Sequence, residues 1–390
     1  MKKLKVLLCD PRHATVRLHS NYVPMGIGYI GSYIKEEIKN VDMELMLSTD
    51  PNEIFDLLKN WNPDVVASSN YIWNSQITNI ICQEAKKINP NTLCILGGPE
   101  FPAGTGQRTI ANTNADKTYD KCYDYLLKRP SVDYFAWSDG EVVVLEILKR
   151  FINANFSIKN LSKDDAPIDG CASISLDRKT LLVGKYMSRI GMEGSVKSEG
   201  RDIILSPYTT GLLDKFLDGS FKPAFETARG CPFMCTFCDQ GLDSSKITAF
   251  SSKRLMEEFW YVGEKMSKIK NGTKIVSIFD SNWGLFEKDI ELSNYVLEVM
   301  NKYDWPQFIE CLTPKSNREN LLKINDILKN RVQVGLSMQS MNALTLSDIK
   351  RKNWTTEEYI DFVGEIKKRG KATSSEMIIP LPGETKETYF

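Results

Sequence analysis

The chain has 390 residues and a mass of 44.3 kDa, which favours two or three domains at roughly 100–200 residues each. Hydrophobic residues make up 42% and charged residues 26%, so the chain has enough apolar material for sizeable buried cores. Fifty Lys and Arg balance fifty Asp and Glu, which argues against a dedicated nucleic-acid or anionic-membrane binder, and no apolar run reaches the about 18 residues of a membrane span.

The first 150 residues alternate strand and helix patterns. The predicted strands are Leu4–Cys9, Met43–Leu47, Val65–Ser68, Thr92–Leu96 and Val132–Ala136, and the predicted helices are Tyr29–Ile38, Glu53–Asn60, Ile77–Ile88 and Val142–Phe151. This alternation is typical of parallel βαβ units, so we expect a doubly wound, flavodoxin-like or Rossmann-like α/β domain over residues 1–151. Ligands of such sheets lie beyond the carboxyl ends of the strands.

Residues 152–222 are less regular. Residues 103–118 are polar and suggest a surface loop, while Ala172–Leu176 and Thr180–Val183 suggest a hairpin. We predict that 152–222 form a connector between two domains.

The alternation resumes in residues 223–390. The predicted strands are Ala224–Thr227, Lys274–Phe279, Phe308–Leu312, Val332–Ser337 and Ser375–Ile379, and the predicted helices are Lys253–Ile269, Lys288–Lys302, Arg318–Leu328, Ala343–Arg351 and Glu357–Arg369. Thr355 and Glu358 have the spacing of a capping box. Because a further helix starts near Pro382 with no later element to pack on, we expect an α/β barrel that stops before its last strand.

Nine cysteines, an odd number and mostly within apolar runs, indicate reduced thiols and a cytoplasmic protein. Cys231, Cys235 and Cys238 stand apart, because they form a Cys-x3-Cys-x2-Cys pattern on one loop after a predicted strand. Soft thiolates favour an iron–sulfur cluster, in which three cysteines hold three irons and leave the fourth iron open. Two alternatives are a zinc site with a distant fourth ligand and three silent thiols.

The motif, its position after a strand and the βα repeats that follow resemble the radical S-adenosylmethionine (SAM) superfamily. The resemblance implies a partial (βα)6 barrel, a [4Fe-4S] cluster on the three cysteines, and SAM chelated to the open iron. It also implies reductive cleavage of SAM to a 5′-deoxyadenosyl radical, with a reduced ferredoxin or flavodoxin as electron donor and a small molecule as substrate.

The same resemblance assigns SAM-binding residues. Phe237 matches the aromatic residue before the third cysteine, whose backbone lies beside the adenine, and Glu310 matches a carboxylate near the methionine amine. Arg351 matches an arginine that pairs with the SAM carboxylate, which suits bidentate recognition. The remaining expected SAM residues are Asp280, Ser281 and Asn282 at the end of the second strand, Ser337 and Gln339 at the end of the fourth, and Glu376 on the fifth.

The N-terminal stretches Pro24–Tyr33, Gly97–Pro99 and Asp133–Glu141 resemble the cobalamin-binding domain fused to many radical SAM enzymes. The resemblance implies a cleft that holds the nucleotide tail of cobalamin. The residues expected to line this cleft are Ser68, Ser69, Gly97, Gly98 and Gly140. The lower-ligand signature Asp-x-His-x-x-Gly is absent, and His13 and His19 are predicted to be loop histidines.

Together these resemblances predict a cobalamin-dependent radical SAM methyltransferase that acts on an unactivated carbon of a small molecule or natural-product precursor. Three alternatives stay open: a radical SAM rearrangement, cyclisation or oxidation without methyl transfer; a tRNA methylthiotransferase; and a non-catalytic binding protein with an incomplete barrel. No catalytic residue beyond the cofactor ligands is predicted.

Overall fold

The computed structural model describes residues 3–12, 21–103, 118–192, 200–238 and 247–389. The chain divides into two compact units, Met1–Leu212 and Leu213–Phe390. Among the described residues, no helix has the combination of length and apolar character that crossing a bilayer requires.

The first unit is built on one seven-stranded sheet. Its strands are β1 (Leu4–Cys9), β2 (Met43–Ser48), β3 (Val65–Ser69), β4 (Leu93–Gly97), β5 (Tyr134–Ala136), β6 (Cys171–Ile174) and β7 (Leu181–Val183), in the order β2-β1-β3-β4-β5-β6-β7. The first five strands are parallel, and β6 and β7 add an antiparallel edge. This is the predicted doubly wound arrangement.

Helices cover both faces of this sheet. They are α1 (Met25–Glu37), α2 (Pro51–Asn60), α3 (Ser75–Ile88), α4 (Thr118–Leu127), α5 (Gly140–Asn153) and the short α6 (Ile158–Leu161). Helix α1 packs on α5, and α2 packs on α3. The connection from β1 to β2 runs toward one edge of the sheet, and the connections from β2 to β3 and from β3 to β4 run toward the other edge. Because such crossovers are right-handed, the two helix pairs lie on opposite faces.

The hairpin predicted inside a connector is instead part of the sheet. Strand β6 pairs with β5, and Ala172 and Leu181 are buried in the same core as Leu7 and Phe135. The hairpin therefore gains both backbone partners and apolar burial from the first unit, which extends to Leu212 rather than ending at residue 151. Of the predicted loop at 103–118, residues 104–117 lie outside the described residues, and Thr118 already starts α4.

The second unit contains a parallel sheet and a small antiparallel pair. Its strands are β8 (Ala224–Phe225), β9 (Ala228–Arg229), β10 (Thr248–Ala249), β11 (Ile275–Ile278) and β12 (Phe308–Cys311). Strands β8, β11 and β12 are parallel neighbours in chain order, while β9 pairs with β10. Parallel bridges continue the series at Val332, Gly335 and Gln339, so the predicted fourth and fifth strands are present as isolated bridges.

The helices of this unit follow the strands as predicted. They are α7 (Ser252–Ser267), α8 (Glu287–Tyr303), α9 (Arg318–Ile327), α10 (Ala343–Asp348), α11 (Thr356–Lys368) and α12 (Lys386–Tyr389). Helix α7 is fixed to the sheet by Phe259, whose ring stacks on Phe225 at 3.8 Å between centroids. The series strand, helix, neighbouring parallel strand is the wall of a partial α/β barrel, whose functional groups lie at the carboxyl ends of the strands.

Candidate functional site: a three-cysteine loop at the strand ends

The three cysteines lie on the loop that leaves β9. Gly230, directly before Cys231, has φ of +108°, a conformation that glycine adopts readily, and it turns the chain out of the strand. The amide of Thr236 donates to the carbonyl of Ile349 at 3.0 Å, and the amide of Cys238 donates to the carbonyl of Cys235 at 3.1 Å. The loop is thus held both within itself and by the end of α10.

Nitrogen donors surround two of the thiols. Asn282 Nδ2 lies 3.2 Å from Cys231 Sγ, and Lys315 Nζ lies 3.2 Å from Cys235 Sγ. Arg351 Nη1 lies 3.8 Å from the same Cys235 sulfur. These donors stabilise sulfur in its anionic form, which is the form that binds metal.

The donor set fits an iron–sulfur cluster better than a single ion. No group of three His, Cys, Asp or Glu within the described ranges is spaced to hold one metal ion. In a four-iron cluster each thiolate binds a different iron, so the three sulfurs lie farther apart than the ligands of one zinc ion. Cys235 is buried, and Cys231 and Cys238 are half-buried, so the loop has a protein side and a partly open side.

Lys315 is a buried cation within this arrangement. Its side chain is 9% exposed, and its Nζ lies 4.2 Å from the centroid of the Phe233 ring. Burial lowers the pKa of Lys315, and the hydrogen bond to Cys235 acts in the opposite direction. Sequence reasoning missed Lys315. The signal that could have found it is its position three residues beyond Leu312, the predicted end of the third strand.

Four of the expected SAM residues meet beside Cys235. Arg351 donates to the carbonyl of Ser337, and its Nε donates to Asn353 at 2.7 Å. Ser337 Oγ donates to Glu376 at 2.8 Å, and the amide of Gln339 donates to the Glu376 carbonyl at 2.8 Å. The structure therefore brings Ser337, Gln339, Arg351 and Glu376 together; their roles toward SAM stay predictions.

Glu310 and Asp280 have protein partners instead. Glu310 forms an ion pair with Lys222, with Oε1 2.9 Å from Nζ, and accepts from Ser277 Oγ at 3.0 Å. Asp280 accepts from the Thr227 amide at 2.7 Å and from the Thr227 hydroxyl. Its carboxylate therefore fastens the segment between β8 and β9, upstream of the cysteines.

The other expected SAM residues are Asn282 and Ser281, which lie near the cysteine loop, and Phe237, which belongs to it. Asn282 is directed at Cys231, as described, and Ser281 is half-buried next to it in the chain. The Phe237 side chain is 38% exposed on the cysteine loop itself.

The residues expected to line cobalamin gather at the carboxyl edge of the first sheet. Ser68 and Ser69 end β3, Gly97 ends β4, and the pairing of Ser69 with Gly97 puts them side by side. Ser69 Oγ donates to Asp10 at 2.5 Å. Polar groups and small residues at this edge fit a polar nucleotide tail.

Two of the glycines also have a packing reason. A Cβ on Gly98 would lie 2.7 Å from the Asn70 carbonyl oxygen, and a Cβ on Gly140 would lie 2.8 Å from Ile30 Cδ1. At Gly98 the close atom belongs to the backbone, so the protein itself requires glycine there, whereas at Gly140 the end of the Ile30 side chain can shift. His13 and His19 lie outside the described residues.

Comparison with known proteins agrees with this geometry. The Radical SAM superfamily model matches residues 225–389, which include the cysteine loop, and the B12 binding domain model matches residues 12–116. The chain therefore contains a radical SAM domain and a B12-binding domain. A radical SAM domain implies a [4Fe-4S] cluster and SAM, and a B12-binding domain implies cobalamin. Gly140 lies beyond the matched part of the B12-binding domain.

Two curated methyltransferases are among the relatives of this chain. The cobalamin-dependent radical SAM methyltransferase TokK of Streptomyces tokunonensis is 25% identical over 342 residues, which are 84% of this chain and 44% of TokK. The 2-(S-pantetheinyl)-carbapenam-3-carboxylate methyltransferase of Streptantibioticus cattleyicolor has the same identity and coverage. The chain thus spans less than half the length of these two relatives.

A solved structure shows the same fold. The cobalamin-dependent SAM radical enzyme OxsB, with aqua-cobalamin and SAM bound, superimposes with a TM-score of 0.65 at 16% identity, over 96% of this chain and 49% of OxsB. The likeness supports the two-part α/β architecture described above.

Proposed function

We propose that this protein is a cobalamin-dependent radical SAM methyltransferase that acts on an unactivated carbon of a small molecule. The observation that carries the proposal is the loop of Cys231, Cys235 and Cys238, held at the strand ends with nitrogen donors on two of its sulfurs. The B12-binding domain and the two methyltransferase relatives support the methyl transfer.

The residues of this chain have separate tasks in the proposal. The three cysteines hold the cluster, which supplies the electron for SAM cleavage, and cobalamin carries the methyl group. Arg351, held by Ser337 and Asn353 beside Cys235, pairs with the SAM carboxylate. Glu376 and Gln339 offer oxygen acceptors for the ribose hydroxyls. The edge of the first sheet at Ser69 and Gly97 receives the nucleotide tail.

The electron comes from a reduced ferredoxin or flavodoxin in the cytoplasm. Cys9, Cys82, Cys94 and Cys122 are buried cysteines of the first core. Buried cysteine thiols suit a reducing compartment. Their burial also disfavours the methylthiotransferase alternative, which needs Cys9, Cys82 and Cys94 as ligands of a second cluster.

The test is anaerobic reconstitution of the parent and of Cys235→Ala. We expect the parent to bind about four irons and to release 5′-deoxyadenosine from SAM under reduction, and the variant to lose both, because a cluster held by two thiolates is not retained. Cys311→Ala, which removes a buried thiol on β12, is the control and should keep both.

The methyl transfer is tested separately by the absorbance of bound cobalamin. A reconstituted protein that cleaves SAM and retains cobalamin supports the proposal. SAM cleavage without cobalamin would leave the non-methylating radical SAM reaction as the function. Full SAM cleavage by Cys235→Ala would overturn both.

A further inference from the structure

Two side chains from different strands approach the sulfurs that hold the cluster. Asn282 follows β11 and reaches Cys231, and Lys315 follows β12 and reaches Cys235, each at 3.2 Å. The partners are 51 and 80 residues apart in the chain, so neither contact results from local backbone geometry. The carboxyl ends of adjacent strands bring both donors to one loop.

The Lys315 ammonium is largely shielded from water, so a nearby anion is needed to offset the cost of its burial. A buried ammonium is costly unless it is paired. In the described part of the chain, its hydrogen-bond partner is Cys235 Sγ and no carboxylate forms an ion pair with it, while Phe233 offers only its ring face. The burial of this cation is thus compensated by the thiolate that binds the cluster.

We propose that Lys315 and Asn282 are positioning residues that raise the reduction potential of the cluster through hydrogen bonds to the sulfurs of Cys235 and Cys231. Reduction adds one negative charge to the cluster. An ammonium and an amide N–H beside its sulfurs stabilise that added charge, and hydrogen bonds to sulfur and local charge are established determinants of cluster potentials. The inference rests on the proposed function, because it requires the cluster.

The two contacts differ in strength. Lys315 contributes a full charge that is buried, whereas Asn282 contributes a neutral dipole at a half-buried sulfur. Charge-assisted hydrogen bonds are roughly twice as strong as neutral ones. We therefore expect Lys315 to have the larger effect on the potential.

The experiment is a redox titration of the reconstituted full chain in the absence of SAM, in which electron paramagnetic resonance measures the reduced cluster. One electron passes from dithionite through mediators to the cluster, and no bond forms or breaks. Lys315→Met should shift the midpoint potential downward, Lys315→Gln should shift it downward by less, and Lys315→Arg should keep it near that of the parent. Asn282→Leu should give a smaller downward shift.

Lys265→Met is the matched control, since it removes the same charge from helix α7, where Lys265 pairs with Asp214. Its potential should equal that of the parent. Iron and sulfide contents are measured for every variant, so a change in potential is read only from loaded protein.

Omission of SAM separates this inference from a rival role for the same residues in SAM binding. Parental potentials in Lys315→Met and Asn282→Leu would overturn the inference, even if both variants bound SAM poorly. If neither Lys315→Met nor Lys315→Gln binds iron, the inference is overturned when Asn282→Leu has the same midpoint potential as the parent. Failure of the parent to bind a cluster would instead refute the proposed function.

Discussion

Asp280 is a carboxyl group whose surroundings control how it titrates. Its side chain is 5% exposed, and it accepts hydrogen bonds from Thr227 and Ala228. Burial raises the pKa of Asp280 to about 7, against an ordinary value of 3.8, and the hydrogen bonds oppose that rise. The folded protein therefore holds this proton more tightly than the unfolded chain does.

This shift makes a prediction about stability and pH. Because the folded pKa is raised, the contribution of Asp280 is most favourable below about pH 4 and is lost as the pH rises through about 7. The Asn side chain of Asp280→Asn cannot ionise. The urea midpoint of this variant, relative to that of the parent, should therefore be higher at pH 7.5 than at pH 4.5. The midpoints of both proteins at the two pH values provide the measurement.

The control for this prediction is Asp177→Asn. The hydroxyl of Ser175 and the amide of Lys179 lower the pKa of Asp177 below 3.8, so its contribution to stability is lost only at lower pH, and the difference between Asp177→Asn and the parent should be nearly the same at pH 4.5 and pH 7.5. A difference between Asp280→Asn and the parent that is constant with pH would contradict the prediction.

Gly98 and Gly97 provide a second residue-scale prediction. Gly98 has φ of +128°, and a Cβ there would lie 2.7 Å from the Asn70 carbonyl oxygen; at Gly97 the nearest atoms would be 3.3 Å away. Gly98→Ala should lower the free energy of unfolding by about 2 kcal/mol, the order of cost of a non-glycine residue in a strained conformation. Gly97→Ala should cost clearly less.

Urea unfolding without cobalamin measures the effect of both glycine variants, so that loss of a ligand does not contribute. Equal losses in the two variants would show that the close approach of Asn70 is not what makes position 98 require glycine.

At the scale of elements, α11 is fixed to its unit by its first turn and by a small apolar face. Thr355 and Glu358 form the predicted capping box, with Thr355 Oγ1 accepting from the Glu358 amide at 3.2 Å. Phe362 and Ile366 are buried, and Trp354 packs edge-on against Phe362. The rest of the helix is largely exposed, so the cap is a large part of what holds it.

Thr355→Ala should therefore lower the free energy of unfolding by about 1 kcal/mol, the typical cost of removing an N-cap side chain. Thr356→Ala, one residue inside the helix and exposed, is the control and should change it little. Urea unfolding measures both, and a loss at position 356 as large as that at position 355 would argue against the cap.

Element predictions succeeded where burial and periodicity agree. Strand Leu4–Cys9 and helix α8 follow directly from such patterns. Helix α1 begins at Met25, four residues before its predicted start, because burial of Met25 and Ile27 outweighs the low helix propensity of Gly26 and Gly28. The predicted fourth barrel strand, Val332–Ser337, is present only as isolated bridges, and Gln339, two residues beyond its predicted end, has φ of +64°, which leaves the extended conformation.

For the whole molecule, the two domains predict separate footprints for two cofactors. Cobalamin should slow amide hydrogen exchange in peptides that contain Ser69 and Gly97, and SAM should slow it in peptides that contain Ser337 and Arg351. Hydrogen exchange with mass spectrometry on the reconstituted protein provides the measurement. Protection by cobalamin confined to the second unit would contradict the assignment of the first sheet.

The sequence predicts the cysteine loop far better than its surroundings. Cys231, Cys235 and Cys238 form a motif within eight residues, whereas the contact of Lys315 with Cys235 follows only once β12 is paired with β11, whose other neighbour is β8. Glu310 shows the same limit: its type and strand position suggested a ligand group, but its ion pair with Lys222 is a contact across 88 residues. Long-range pairing of charges does not follow from local patterns.

The contacts of Cys235 also fix an order of events during synthesis. This thiol leaves the ribosome 80 residues before Lys315 and 116 residues before Arg351. At a rate of about 5–20 residues per second, the nascent loop spends roughly 6 to 23 s without the second of these cations. Until Arg351 has been synthesised, Cys235 lacks the full set of nitrogen donors that surround it in the folded unit, so its protection from oxidation in that interval depends on the cell.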